Sequence, residues 1–200
     1  MEAKAKKIKN PEALTVRDFV TIAIIFVIYF VIFCLSAPIG MTVVGAFFTY
    51  PMCSLFWGTV YLLMCEKVNK NGAPLIFGLA VASIQLMNFW MSALIIAIGA
   101  VISEILWRKL DKSKISTIGA CFTILVLSGH LGTLIPLYLL RDSFFEAIPN
   151  YAEFYTKIYE FSQGYMLYIG LVAAVIAPAI GIFIGKLILK KHFEKAGIVK

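Results

Sequence analysis

Long apolar runs, separated by short polar clusters, set the pattern of this chain. The first run extends from about Thr15 to Leu35. It follows Lys4, Lys6, Lys7, Lys9 and Arg17 and breaks at Ser36-Ala37-Pro38-Ile39-Gly40, because Pro and Gly together punctuate helices. It is too long for the apolar core of a signal peptide, and no clean small-residue cleavage pattern follows. A second run spans about Met41 to Cys65. Pro51 near its middle removes a backbone donor and crowds the preceding turn, which predicts a kink. The segment from Glu66 to Gly72 reads as a polar turn.

Residues 73–107 are harder to divide. A spanning helix needs about 20 mostly apolar residues, so this stretch is too long for one crossing and tight for two. Polar and aromatic residues interrupt it at Gln85-Leu86-Met87-Asn88-Phe89-Trp90-Met91, which predicts two short helices, about 73–87 and 91–108. A fifth span follows at about 115–140, then a polar, aromatic loop over 141–162, and a sixth span at about 163–189. The expected fold is an all-α integral membrane protein, one domain over 1–200, with six transmembrane helices.

Composition supports this class. Hydrophobic residues make up 61% of the 200 positions and charged residues 14%. Soluble domains carry about 25% charge, so a soluble monomer is excluded, as are disordered and fibrous classes. The net charge of +7 has a specific placement. Five Lys/Arg precede span one, two follow span two (Lys67 and Lys70), four follow span four (Arg108, Lys109, Lys112 and Lys114), and five lie from Lys186 onward. Cytoplasmic loops are enriched in Lys and Arg. An even number of crossings must therefore lie between successive clusters, and six crossings put both termini in the cytoplasm. Only Arg141 and Lys157 then fall outside. The excess is an orientation record and not a nucleic-acid footprint.

Few groups in the spans carry chemistry. Cys34, Cys53, Cys65 and Cys121 form no CxxC or Cys/His pattern and read as buried apolar cysteines. No metal site or cofactor is expected. Glu104 lies one turn from Arg108, and an i, i+4 ion pair accounts for it. His130 lies about 22 Å along span five at about 1.5 Å per residue. Gly129 and Gly132 flank it, and Thr123 and Thr133 share roughly its face. It is either an interhelical hydrogen-bonding group or a ligand contact, metal or haem ligation included. Gln85, Asn88, Trp90, Thr133, Arg141, Gln163, Tyr165 and Tyr168 gather with it at the outer ends of spans three to six. The aromatics among them read either as interface anchors or as the rim of an outward-facing substrate pocket. The long loop over 141–162 could cover such a pocket.

Span six carries small residues every fourth position, Ala173, Ala177, Gly181 and Gly185. Such a stripe lets two helices approach closely, either within the protein or at a docking face for a membrane partner. HExxH, GxSxG and GxxxxGK[ST] are all missing from the sequence, so no enzyme activity and no built-in ATP motor is expected.

The segment Leu14-Thr15-Val16-Arg17-Asp18-Phe19-Val20-Thr21-Ile22-Ala23, leading into a Phe/Tyr/Ile-rich helix, resembles the opening of the Trep_Strep (MptD-type) integral membrane proteins. Length, six spans, a short third hairpin and a basic tail extend the resemblance over nearly the whole chain. It implies an S-component-like bundle in the bacterial plasma membrane: the substrate-binding subunit of an energy-coupling-factor (ECF) importer. Such a subunit captures a vitamin-like micronutrient outside and works with a transmembrane coupling subunit and two cytoplasmic ATPases. The family's AxxxA-type motif in the first helix is not intact here, since Val27 stands four residues after Ala23. No substrate-specific motif matches. Two further readings stay open. One is a ligand-free membrane scaffold or assembly protein; the other is an intramembrane enzyme using His130 and Glu104.

Overall fold

A computed structural model describes residues 13–192. The lysines at positions 4–9, Lys195 and Lys200 lie outside the described residues. Helix α1 (Val16–Gly40) opens on a capping box. Thr15 Oγ1 accepts from the Asp18 backbone N–H, and Asp18 Oδ2 accepts from that of Thr15 at 2.7 Å. The break expected at residues 36–40 does not occur there, for α1 runs through Pro38 to Gly40. In lipid the backbone has no water to bond, so staying helical past a proline leaves fewer polar groups bare than uncoiling. The chain turns instead at Met41-Thr42, where Thr42 caps a short helix α2 (Val43–Phe47).

The second expected span is divided at Phe48, and the kink expected at Pro51 is not where it breaks. Helix α3 (Thr49–Lys67) begins just before Pro51, which lies in its first turn. The missing N–H costs nothing there, because first-turn donors have no intrahelical partner. Eleven of the nineteen residues of α3 are buried, against three of twenty-five in α1, so α3 is the axis of the bundle. Helices α4 (Ala73–Leu86) and α5 (Trp90–Lys109) form the short hairpin that the polar interruption predicts. They turn at Met87–Phe89. Helix α6 (Ile115–Leu139) follows.

Residues 141–162, expected as a loop, are largely helical: α7 (Arg141–Ala147), a 3-10 turn (Pro149–Tyr151) and α8 (Ala152–Phe161). The pattern explains it. Phe154, Tyr155, Ile158 and Phe161 fall on one face of α8, and Glu153, Lys157 and Glu160 lie on the other. Gly164, at φ 64°, turns the chain into α9 (Tyr165–His192).

Four of these helices are long and apolar enough to cross a membrane: α1, α5, α6 and α9 through Lys191. Helix α4 is a shorter apolar helix. Against α3, α9 packs backbone to backbone. A Cβ on Gly58 would strike the Gly181 carbonyl, and one on Gly181 would strike the Ser54 carbonyl oxygen. Two apolar clusters result. The larger centres on Trp57, Tyr61, Tyr29, Phe77 and Phe122. The smaller joins Phe47, Phe89, Leu134, Leu137, Phe144 and Ile158 beneath α7 and α8.

Candidate functional site: a polar layer beneath a helical lid

A short polar chain lies at the edge of the larger aromatic cluster. Its centre is Tyr50 on the first turn of α3. Gln85 Nε2, at the end of α4, donates to Tyr50 Oη at 2.6 Å, and Asn88 Nδ2 donates to Gln85 Oε1 at 2.8 Å. The Tyr50 ring lies on Gly129 of α6, next to His130. The space beside Gly129 is therefore taken by Tyr50, and that beside Gly132 by the Ser92 backbone and Ile96.

His130 is 2% exposed. Its ring meets Phe47 edge to face at 5.3 Å. Its Nε2 is directed at Gly170 of α9, where an added Cβ would lie 2.9 Å away. That nitrogen is buried and has no hydrogen-bond partner. A buried polar atom left unpaired costs about 1–3 kcal/mol, so this nitrogen is available for one further hydrogen bond. No interhelical hydrogen bond to Nε2 satisfies it.

Above this layer the lid is held by aromatic contacts. Phe144 packs edge-on against Phe89 at 5.3 Å and Tyr155 at 5.0 Å, and Phe161 meets Phe47 at 5.5 Å. Arg141 lies over the rings of Tyr159 (4.8 Å) and Phe145 (5.3 Å). Tyr138 Oη and Ser162 Oγ share a hydrogen bond of 2.8 Å. On the lid's outer surface Lys157 donates to Glu153 at 2.8 Å. That bond holds the Glu153 carboxyl below its ordinary range and Lys157 above it. Burial pushes the Tyr155 phenol up.

Tyr50 links Gln85 to the Gly129–His130 stretch of α6, while Asn88, bonded to Gln85, is itself exposed; Thr133 is half-buried one turn beyond His130. Arg141 belongs to the lid. Trp90 and Gln163 are exposed, as are Tyr165 (71%) and Tyr168 (69%), and these exposures place them at the surface of the bundle. Of the small-residue stripe, Gly181 and Gly185 are covered by α3, which corrects their reading as an open docking face. Ala173 and Ala177 remain on a shallow apolar groove of about 530 Å³ with Leu55, Ile176 and Ile180. Tyr50 and Phe47 were missed in the sequence. The available signal was the series Tyr50, Trp57, Tyr61, spaced seven and four, which marks one helix face carrying polar-tipped aromatics.

The opposite end of the bundle is organised by charge. Glu104 Oε1 accepts from Arg108 Nε at 2.6 Å, the expected i, i+4 pair, and also from the Gly72 backbone N–H at 2.7 Å. Gly72 sits at φ 94°, which favours glycine. Trp107 Nε1 donates to the Lys70 carbonyl at 3.0 Å, and Lys70 Nζ bonds Asp18 Oδ2 at 2.7 Å. Glu104 and His130 therefore lie at opposite ends of the bundle. Among the described residues no group of His, Cys, Asp and Glu could hold a metal, and Cys53, Cys65 and Cys121 are buried free thiols.

Such a fold defines a polytopic α-helical membrane protein with a lidded polar layer between its helices. The chain belongs to the Trep_Strep family, described as a hypothetical bacterial integral membrane protein, which it matches over residues 16–195. No curated protein and no solved structure matches it.

Proposed function

We propose that this protein is the substrate-binding membrane subunit of an ECF-type importer. It captures a small organic, vitamin-like micronutrient at the outer face for ATP-driven uptake. The observation that carries the reading is the buried His130 Nε2, unpaired among the described residues, with Tyr50 of the Tyr50–Gln85–Asn88 chain packed on the adjacent Gly129. The cavities beside Tyr50 and Gln85 hold only about 10 to 20 Å³, so a ligand entering beneath α7–α8 must displace side chains to reach the imidazole, the phenol and the Gln85 amide. The resemblance to S components and the one-sided placement of Lys and Arg support six crossings with both termini in the cytoplasm. On this reading α3 and α4 complete the crossings made by the four long apolar helices. Energy comes from two cytoplasmic ATPases through a transmembrane coupling subunit. Ala173 and Ala177 remain as the open part of the span-six stripe for that subunit.

Mass spectrometry of small molecules released from the purified, denatured protein tests the proposal. A single organic species is expected. Its retention should fall by about tenfold in H130A and in N88A, the effect of losing one hydrogen bond worth about 1.4 kcal/mol. A protein that carries nothing, and that no ligand stabilises in a thermal-shift screen, is instead a ligand-free scaffold.

A further inference from the structure

The positive charge at the end of the bundle opposite the lid is unevenly neutralised. At the α3–α4 turn, Lys70 is bound to Asp18 Oδ2 and to the Ala13 carbonyl. At the end of α5, Arg108 is bound to Glu104. In the α5–α6 turn, Asp111 lies 4.0 Å from Lys114. Arg17, Lys109 and Lys112 are in no ion pair among the described residues, and the last turns of α9 gather three more such cations on one helix. Lys186, Lys190 and Lys191 are all exposed, and among the described residues no carboxylate pairs with any of them.

Lys186 and Lys190 are like charges one turn apart, an arrangement that destabilises a helix. The helix dipole favours cations only within the last turn, so it does not account for Lys186. Their position is fixed, because Leu189 is buried in the main core and Gly185 packs against Thr59 of α3. The lysines are therefore held outward. Along the same helix, exposed Ile169, Val172, Ile176, Ile180, Phe183 and Leu187 form an apolar surface. Exposed Tyr168 stands at its other end. From Tyr168 to Lys186 is about 27 Å at about 1.5 Å per residue, close to the roughly 30 Å hydrocarbon thickness of a bilayer. This spacing sets Lys186, Lys190 and Lys191 at the level of the lipid headgroups.

From this we infer that the end of α9 is a binding surface for anionic phospholipid headgroups, whose phosphates supply a counter-charge that no carboxylate among the described residues supplies. Lipid is favoured over an acidic protein partner because Phe183 and Leu187, beyond the groove of Ala173 and Ala177, lead an exposed apolar face up to the lysines, which stand one bilayer thickness from its aromatic end. The surface is independent of the site beneath the lid.

The test reconstitutes the full chain in vesicles of phosphatidylcholine alone or mixed with phosphatidylglycerol and follows its unfolding temperature. Phosphatidylglycerol should raise it, and high salt should erase the rise. The combined variant K186Q/K190Q/K191Q should lose more than half of the shift. K70Q, which removes an internally paired lysine, should unfold earlier in both lipids yet keep the full shift. An unresponsive wild-type protein would overturn the inference. So would a triple variant with an undiminished shift, whether or not it has also lost a co-purifying protein.

Discussion

The two ends of the bundle are held together by different kinds of force. At the charged end, directional bonds converge on one short loop. Asp18 and Trp107 hold Lys70, and Glu104 holds Gly72, so α1, α4 and α5 are tied through the 68–72 segment. At the lid end, α7 and α8 rest on Phe47, Phe89, Leu134 and Leu137 through ring contacts, with Tyr138–Ser162 as a side-chain bond between α6 and the lid's last turn. Hydrogen bonds and ion pairs specify one geometry. Apolar contact is non-directional and roughly proportional to area. The base is therefore fixed by directional bonds and the cover by apolar packing, and segments of the second kind open locally at lower cost.

The largest expected effect falls on the lid. Phe144 is 3% exposed and bridges Phe89 and Tyr155. Truncating a buried Phe costs about 3–5 kcal/mol. In F144A that loss should appear as opening of residues 141–161, with amide hydrogen exchange there accelerating while α3 and α6 keep their protection. Parallel loss of protection in α3 would show that lid and bundle are one cooperative unit, and the contrast between the two ends would fail.

The same contrast separates what the sequence reveals from what it hides. The turns at 66–72, 87–89 and 110–114 were legible because charge, Asn and Gly interrupt strong apolar runs there. The helix ends at Ala73, Lys109 and Ile115 agree with the expected spans to within two residues. Pro38 and Pro51 misled because a proline breaks a helix only by position and surroundings. One is carried through in an apolar setting, and the other sits where its missing donor is free. The lid was read as a loop because its charges outweighed the i, i+3, i+4 pattern of Phe154, Tyr155, Ile158 and Phe161. His130 and Gln85 stood out as polar groups in apolar runs. Tyr50 did not, because a tyrosine in a span reads as bulk until its hydroxyl is seen to accept from Gln85. The second role of Glu104, as acceptor for the Gly72 N–H thirty-two positions away, has no local signature at all.

Glu104 gives the next effect in size, this time on the rigid end. In E104A the Gly72 N–H loses a charged acceptor at 2.7 Å, a loss of about 1.5–3 kcal/mol. Arg108 is more than half exposed and turns to water at little cost. The loop joins three helices, so the whole bundle should unfold earlier on heating in detergent, with exchange rising in α1, α4 and α5 together. E104Q keeps an acceptor and should recover most of the loss. A change confined to residues 68–72 would mean that the loop hangs on the bundle without tying it.

The smallest expected effect probes the rim of the lid. Arg141 begins α7 and stacks over Tyr159 of α8 and Phe145 of its own helix, 4.8 and 5.3 Å from the ring centres. A cation over an exposed aromatic face contributes about 0.5–1 kcal/mol. R141A should therefore speed exchange in α8 only about two- to fivefold, leave α3 unchanged, and leave the unfolding temperature of the bundle within error. R141K tests whether stacking or charge is responsible. Lysine keeps the charge but lacks the planar guanidinium that stacks on a ring, so it should recover part of the protection. Y159L removes the ring that Arg141 shares with α8, together with its contact to Tyr138 at 4.9 Å, so the R141A loss should shrink in the Y159L background to what the Phe145 contact contributes. Fully additive losses would show that Arg141 acts only within α7, through Phe145, and does not fasten α7 to α8.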